Sequence, residues 1–202
     1  MTTPPTSVQK RSSLVRAATQ LLHEQGFQAT TLAHVATRAN VPVGNVYYYF
    51  RTKEALAEAV IAAHEAALLG LFATWETAHR HPPTRLHCLI RAPLDGSDSI
   101  IQFGCPHGSL CQELEKLGPD APLAQAGARL LAVYLEWAGA QFQECGFRPA
   151  QARELARDLI ASIQGTLLLA HTLHSHDLLA RQLRRIEGWL DEQLPSPSRS
   201  RS

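Results

Sequence analysis

A short stretch around residue 45 carries side chains of the types that contact DNA. Asn45 can hydrogen-bond a base edge or a phosphate, and Val43 can contact a thymine methyl group. The chain up to Lys53 holds six basic residues and one acidic residue, whereas the whole 202-residue chain has a net charge of only +1. Positive charge concentrated in one quarter of a chain is typical of a domain that approaches phosphates, although an ordinary solvated surface is the alternative.

Two short helices joined by a tight turn must position these side chains. The first would follow Thr30, whose hydroxyl can cap a helix, and its apolar residues recur at helical spacing. Asn40 favours the left-handed conformation that ends a helix, and a second helix is predicted over 42–49, with Pro42 fixing φ in its first turn. This pattern predicts a helix-turn-helix, whose second helix enters the major groove.

An earlier helix would support this pair. Thr6 and Gln9 have the spacing of a capping box, and Gly26 can supply the left-handed residue that ends the helix. The three helices would close over a shared core, predicted to contain Leu21, Leu22, Phe27, Leu32, Val35, Val46 and Phe50. Three successive tyrosines at 47–49 cannot all point inward from one helical turn, so at least one hydroxyl should face solvent or DNA.

Residues 8 to 60 resemble the DNA-binding domain of the TetR family of bacterial transcription regulators. The match lies in the order of Gly26-Phe27, Thr30-Thr31-Leu32, Val35-Ala36, Asn40-Val41, Gly44 to Phe50 and Lys53 to Leu56. The resemblance implies that Tyr47, Tyr48 and Lys53 contact phosphates, and that the backbone approaches DNA at Thr31 and Gly44. It also implies a connecting helix after Thr52, a homodimer formed by the last two helices, and a palindromic operator in double-stranded DNA.

The rest of the chain also has helical periodicity. Helices are predicted from Thr52 to Ala78, and over 84–94, 110–117, 122–145, 149–167 and 175–190, with loops at 96–99 and 104–109. The predicted fold is all-α: an N-terminal three-helix helix-turn-helix domain at 1–52, a C-terminal helical ligand-binding and dimerisation domain at 53–194, and a disordered tail at 195–202. Residues 1–6 are also expected to be disordered.

Aromatic residues on two of these helices are candidates for an effector pocket. Phe72 and Trp75 lie near the end of the connecting helix, and Tyr134 and Trp137 lie in a later helix that contains two glycines. Aromatic side chains with one polar group commonly bind flat or apolar ligands. The pattern therefore predicts a small-molecule site, with ordinary core packing as the competing interpretation.

Cys105 and Cys111 open a different possibility. Cys111 is predicted in the first turn of a helix beginning near Ser109, where the helix dipole lowers a thiol pKa. The two thiols would then sense redox state or electrophiles, unless both are simply small buried side chains. A cysteine enzyme using His107 as its base has little support, because the sequence offers no third group or oxyanion loop.

The remaining features exclude other classes of protein. The three histidines at 171, 174 and 176 have no acidic or thiol partner at matching spacing, so neither a metal site nor a cofactor is predicted. No apolar run approaches the ~20 residues that span a bilayer, and the N-terminus lacks a signal peptide's apolar segment, so the cytoplasm is expected and a membrane is not. The sequence predicts a ligand-responsive regulator, most simply a repressor that leaves its operator when a small molecule binds. An activator or a structural DNA-binding protein would carry the same motif.

Overall fold

A computed structural model describes residues 6–195, and within them every regular element is an α-helix. The predicted all-α class is confirmed. The predicted disordered ends at 1–6 and 195–202 lie outside the described residues, apart from Thr6 and Pro195. The helices of the described part are α1 (Ser7–Ala29), α2 (Leu32–Arg38), α3 (Val43–Tyr49), α4 (Lys53–Ala78), α5 (Pro82–Asp95), α6 (Ser97–Phe103), α7 (Pro106–Glu115), α8 (Pro122–Glu144), α9 (Pro149–Thr172) and α10 (His176–Gln193).

The described residues form two compact units that are not contiguous in sequence. The first comprises the chain up to Ala67 together with Pro106–Leu130, and the second comprises Leu68–Cys105 together with the chain from Leu131. The first unit therefore contains α7 and the start of α8 as well as α1 to α3. The domain boundary at residue 52 stays a prediction.

The first unit has one continuous hydrophobic core. All seven core residues predicted from the sequence are buried in it, and Val35 and Val46 are fully inaccessible to solvent. The start of α4 contributes Leu56 and Val60, and α7 contributes Leu110 and Leu114. Helix α7 packs directly on α1, so the support for the helix-turn-helix comes from more helices than the three predicted.

The caps explain where α1 and α2 begin. The capping box of α1 is present, because Thr6 accepts from the Gln9 amide and its own amide donates to the Gln9 side chain. The cap of α2 is Thr31 and not Thr30 as predicted. Thr31 accepts from the His34 amide at 3.2 Å, whereas the Thr30 hydroxyl is directed back to the Gly26 carbonyl at 2.7 Å.

Both predicted loops before α7 were assigned wrongly. Helix α6 begins at Ser97, inside the first predicted loop, and α7 begins at Pro106, inside the second. Proline is favoured at the first position of a helix because its missing N–H would have no partner there, and this signal outweighs the apparent capping box at Ser109. As a consequence Cys111 lies in the second turn of α7, beyond the strongest part of the helix dipole.

The second unit is built around α9 and α10. Helix α9 packs against α10 and α6, and α10 packs against α5. The core of this unit includes Phe72 from α4, Leu86 and Ile90 from α5, and Phe142 from α8. Most of the remaining core residues come from α9 and α10, at the spacing that the sequence predicted.

Helix α4 corrects the expectation about apolar runs. It is long and apolar enough to cross a bilayer by length and composition alone. The core helix of a globular protein passes the same test, and α4 buries side chains in the hydrophobic cores of the two units, such as Leu56 and Phe72. Packing accounts for part of its apolar character, since 33% of its most apolar window is buried.

Two histidines of the first unit form a half-buried pair that should make stability depend on pH. The Nε2 atom of His107 lies 3.0 Å from Nδ1 of His64. Burial lowers the pKa of His107 from 6.5 to about 4, with smaller contributions from the charges of His64 and His23, and burial also lowers the pKa of His64. The folded protein therefore binds fewer protons than the unfolded chain between pH 6.5 and 4.

Stability is expected to be unaffected by this pair above pH 6.5 and to fall as the pH drops towards 4. At pH 5 the loss through His107 alone should be about 2 kcal/mol in the free energy of unfolding. Urea unfolding at pH 7 and pH 5 measures it. His107→Gln should flatten this dependence, whereas His174→Gln, at an exposed position, should not; equal slopes in the wild type and His107→Gln would contradict the prediction.

Candidate DNA-binding and effector sites

Helix α3 presents a polar and aromatic face to solvent. Tyr48 is 80% exposed, Tyr47 is 54% exposed and Val43 is 46% exposed, while Val46 is completely buried. Gly44 and Asn45 lie on the exposed part of the same helix. The recognition face predicted from the sequence is therefore exposed to solvent, and Val46 packs the opposite side of the helix against the core. The DNA contacts assigned to these residues stay predictions.

The third tyrosine has a different position from its neighbours. The Tyr49 hydroxyl lies 3.1 Å from the Ser7 hydroxyl at the start of α1, and the Tyr48 and Tyr49 rings meet edge to face. Phe50 is buried, with the Arg11 guanidinium 5.1 Å above its ring. Helix α3 is thus fastened to α1 on its inner side, which fixes the direction of its exposed face.

Helix α2 is fastened to α1 by an ion pair. Arg38 donates two hydrogen bonds to Glu24, at 2.7 and 3.0 Å, in the bidentate arrangement that suits a guanidinium and a carboxylate. The hydrogen bond from Arg38 lowers the pKa of Glu24. Both side chains are partly exposed, so the pair contributes more to the geometry than to the stability.

Lys53 is occupied by contacts inside the first unit. Its Nζ atom donates to the Phe27 carbonyl at 3.0 Å and to the Gln28 carbonyl at 3.4 Å, and it lies 4.3 Å from the centre of the Phe27 ring. Thr31 is exposed and caps α2. In this structure Lys53 anchors the start of α4 to the end of α1, and its phosphate contact stays a prediction.

The four aromatic residues predicted to line an effector site meet in the second unit. The rings of Phe72 and Trp137 stack with their centres 4.2 Å apart and their planes 13° apart. Trp75 lies beside both, and Tyr134 meets Phe72 edge to face. Phe72 is only 2% exposed, whereas the other three are partly accessible. We call Phe72, Trp75, Tyr134 and Trp137 the aromatic cluster.

Polar groups border the aromatic cluster on one side. The Trp137 indole donates to the Glu76 carboxylate at 2.7 Å, and the buried Gln141 amide lies 3.5 Å from the same oxygen. Arg85 in turn donates to the Gln141 side-chain oxygen at 3.0 Å and to Glu144 at 2.8 Å. Burial raises the pKa of the Tyr134 phenol, so Tyr134 is a neutral hydrogen-bonding group at physiological pH.

The two cysteines that the sequence grouped as one sensor belong to different units. Cys105 packs, partly buried, against the core of the second unit, which contains the aromatic cluster. Cys111 belongs to the first unit, where its thiol donates to the Gly127 carbonyl at 3.0 Å. Burial raises the pKa of Cys88, and it raises that of Cys145 to about 11, which lowers the reactivity of both at neutral pH.

Among the histidines near the end of α9, the His171 and His174 rings meet edge to face, with their centres 6.2 Å apart. His171 lies 3.0 Å from the Ile101 carbonyl, and His176 lies 2.9 Å from the Asp98 carboxylate. His174 adopts a positive φ of 48° after the helix ends. Among residues 6–195, no group of three or more histidine, cysteine or acidic side chains is arranged to hold a metal ion.

Comparisons with known proteins agree with this architecture. Residues 14–60 match the family model for bacterial regulatory proteins of the tetR family, and residues 89–184 match the model for the C-terminal domain of LmrA/YxaF-like transcriptional regulators. An uncharacterised HTH-type transcriptional regulator of Mycobacterium tuberculosis is 31% identical, over 94% of this chain and 98% of its own. The chain belongs to the TetR family. It is a transcriptional regulator with a DNA-binding helix-turn-helix.

Two further proteins extend the comparison with TetR-family members. The transcriptional repressor DhaR of a Mycobacterium species is 27% identical over 79% of this chain and 77% of its own. A TetR transcriptional regulator from Legionella pneumophila has the same fold, with a TM-score of 0.80 over 96% of this chain and all of its own, at 17% identity. TetR-family regulators bind operator DNA and function as dimers.

One contact in this TetR-family chain was not anticipated from the sequence. Glu113 of α7 accepts a hydrogen bond from the backbone amide of Phe27, at the end of the helix that supports the helix-turn-helix. The two residues are 86 positions apart, so no local pattern could pair them. The available signal was Gly26, whose predicted positive φ is confirmed at 80°.

Proposed function

We propose that this TetR-family regulator is a repressor that binds a palindromic operator as a homodimer and leaves it when a small molecule binds the second unit. The observation that carries the proposal is the exposed face of α3 on a fixed support, in the same chain as an aromatic cluster with polar groups at its edge. The named repressor DhaR among its relatives favours repression over activation.

In this proposal α3 enters the major groove. Asn45 bonds a base edge or a phosphate, Val43 contacts a thymine methyl group, and Tyr47 and Tyr48 donate to phosphates. Thr31 and Gly44 allow the backbone to approach the sugar-phosphate chain, and Lys53 adds positive charge near the groove. One seven-residue helix reads few bases, so two protomers must bind half-sites on one face of the duplex.

The surface proposed for dimerisation lies on α9. Leu168 and Leu169 of α9 are 56% and 51% exposed, and Leu173, directly after the helix, is 60% exposed. Gly165 and Ala161 are exposed one and two turns before Leu169 on the same side of the helix. Small residues beside exposed leucines let another helix approach closely. Single exposed leucines are common on the surface of monomeric proteins, whereas several exposed together indicate an interaction surface. Together with α10, this surface would form a four-helix interface with the partner.

The aromatic cluster is proposed as the effector site. A flat or apolar molecule can stack on these rings in place of the contacts that the rings make with each other. Glu76 and the Tyr134 hydroxyl can form hydrogen bonds with a polar group of that molecule. In some domain arrangements the spacing of the two recognition helices does not match the operator. A ligand that binds such an arrangement more tightly weakens operator binding, and the operator weakens ligand binding by the same coupling free energy, typically about 1–3 kcal/mol. The ligand-binding and dimerisation domain is taken as 53–194, and the cytoplasm as the location.

Two experiments in sequence test the proposal. Fragments of the source genome are selected with the full-length protein, and the affinity of a recovered duplex is measured against salt. A palindromic site, a stoichiometry of two protomers and a steep loss of affinity with salt are expected. Small molecules are then screened for release of that duplex. No sequence preference would refute the operator, whereas a clear site with no releasing compound would refute only the effector.

Trp137→Phe is expected to weaken a releasing compound about tenfold without changing operator affinity in its absence. The substitution reduces the aromatic surface on which a bound compound would stack and removes the indole N–H that orients the Glu76 carboxylate, which together are worth about 1–2 kcal/mol to the compound. Titration of the protein–duplex complex measures the change. Trp189→Phe makes the same substitution outside the aromatic cluster and serves as the control; an equal effect from both variants would argue against the cluster.

A second candidate is a sensor of electrophiles or redox state. The observation that favours it is the position of Cys105, which packs against the same core as the aromatic cluster, so that a reactive molecule bound there would meet a thiol. Cys105→Ser and Cys111→Ser are treated with an electrophile, and release of the selected duplex is followed. Undiminished release from both variants would remove these cysteines from the mechanism.

A further inference from the structure

Three elements of the first unit meet at the end of α1. Gly26 turns the chain with its φ of 80°, and the backbone of the next residue, Phe27, is held at both its N–H and its carbonyl. Glu113 of α7 accepts from the Phe27 amide, and Lys53 of α4 donates to the Phe27 carbonyl at 3.0 Å. We call this arrangement the Phe27 clamp, and its members are Gly26, Phe27, Lys53 and Glu113.

The clamp leads directly into the helix-turn-helix. The Thr30 hydroxyl donates to the Gly26 carbonyl at 2.7 Å, and the next residue caps α2. Gln25 adds contacts to Thr30 at 3.3 Å and to the His34 ring at 3.2 Å. A shift of the Phe27 backbone would therefore move the first residues of α2, and with them the turn that sets the direction of α3.

The clamp is also closely fitted. A Cβ atom built on Gly26 would overlap the Glu113 carboxylate, so glycine is required there both for the backbone conformation and for the approach of Glu113. Phe27 itself is 2% exposed, and Lys53 lies over its ring. A carboxylate hydrogen-bonded to a backbone amide in such a partly buried place is among the stronger single contacts in a protein.

Helix α7 occupies a distinctive place in the chain. Gly104 and Cys105 are the only residues between it and α6, yet α7 itself packs on α1 in the first unit. The Glu113 carboxylate of α7 holds the end of α1. The position of α7, a helix outside the helix-turn-helix, therefore affects the orientation of α2 and α3.

We propose that Glu113 is a positioning residue for DNA binding: by holding the Phe27 amide it keeps α2 and α3 in the orientation that fits the operator. Glu113 touches no DNA in this proposal. It acts through Phe27 and Thr30, and displacement of α7 would release the helix-turn-helix from that orientation. This role depends on DNA binding by the helix-turn-helix and not on the identity of any effector.

Glu113→Ala tests the proposal, because its expected effect has the opposite sign to simple electrostatics. Removing a negative charge from a DNA-binding unit should strengthen DNA binding slightly. Loss of the clamp should instead weaken binding of the duplex selected by the wild-type protein, about tenfold, as for a lost hydrogen bond to a charged acceptor. Glu115→Ala removes the same charge from an exposed position of the same helix and should not weaken binding.

Hydrogen exchange of the full-length protein without DNA gives a second, independent measurement. The Phe27 amide should exchange at least tenfold faster in Glu113→Ala, with no comparable change at Val46 in α3. Glu113→Gln keeps an acceptor oxygen, and both its duplex affinity and its Phe27 exchange should stay within about threefold of wild type; this variant also tests the proposal if the alanine variant unfolds. Unchanged Phe27 exchange would overturn the clamp, and faster exchange with unchanged duplex affinity would overturn its role in DNA binding.

Discussion

Asn45→Ala should weaken binding to the selected operator by one to two orders of magnitude without changing the thermal stability of the protein. Asn45 is exposed on α3, so its truncation removes no packing, and a base-edge contact is worth about 1–3 kcal/mol. A dimer loses two such contacts, which is why the effect should lie at the upper end of that range. Fluorescence anisotropy of a labelled duplex measures the affinity, and circular dichroism measures the unfolding.

The sequence dependence of the loss separates base reading from a phosphate contact. If Asn45 reads a base, the variant should bind the operator and a duplex mutated at that base with similar affinity, whereas a phosphate contact would weaken all duplexes alike. Gln20→Ala changes an exposed amide on α1 and is the matched control. An Asn45→Ala variant with wild-type affinity would remove Asn45 from the interface.

Leu169→Arg should convert the dimer into monomers and reduce operator affinity at least a hundredfold. The substitution places a charge in the middle of the exposed leucine surface of α9, where the partner's helices would have to bury it unpaired. A monomer holds one recognition helix and loses the gain in effective concentration that the second half-site provides. Sedimentation velocity gives the oligomeric state, and the anisotropy titration gives the affinity.

A leucine-to-arginine substitution outside the α9 surface should not disrupt the dimer. Leu94 is also exposed, at 41%, in the same unit but on α5. Leu94→Arg should therefore leave both the mass and the affinity unchanged. A Leu169→Arg protein that sediments as a dimer would show that the α9 surface is not the interface. A monomer that keeps full affinity would show that dimerisation is not needed for binding.

Local signals in the sequence were strong enough to predict the helix-turn-helix closely. Asn40 adopts its predicted left-handed conformation, with a φ of 54°, and the buried and exposed sides of α3 follow from helical spacing around Val46. These features depend on residues within one or two turns of each other, and such short-range preferences act in any surroundings. The cap of α2 moved by one residue because two adjacent threonines could serve equally well until one bonded Gly26.

The region between residues 96 and 109 was harder to predict for a physical reason. Glycine, proline and serine favour loops and helix starts alike, and packing decides between the two outcomes. Here Ile100, Ile101 and Leu110 are buried, and that burial stabilises short helices on either side of Gly104. The assignment of Cys111 to a first turn was wrong for the same reason.

The sequence by itself determined the fold class, the family and the exposed face of α3, because these rest on periodicity and on motifs of fixed local spacing. Only the tertiary structure decided which distant side chains meet. It stacked Phe72 on Trp137, placed Cys105 and Cys111 in different units, and brought Glu113 to the Phe27 amide. Such contacts depend on how helices separated by tens of residues pack together, and no local preference of the chain encodes that packing.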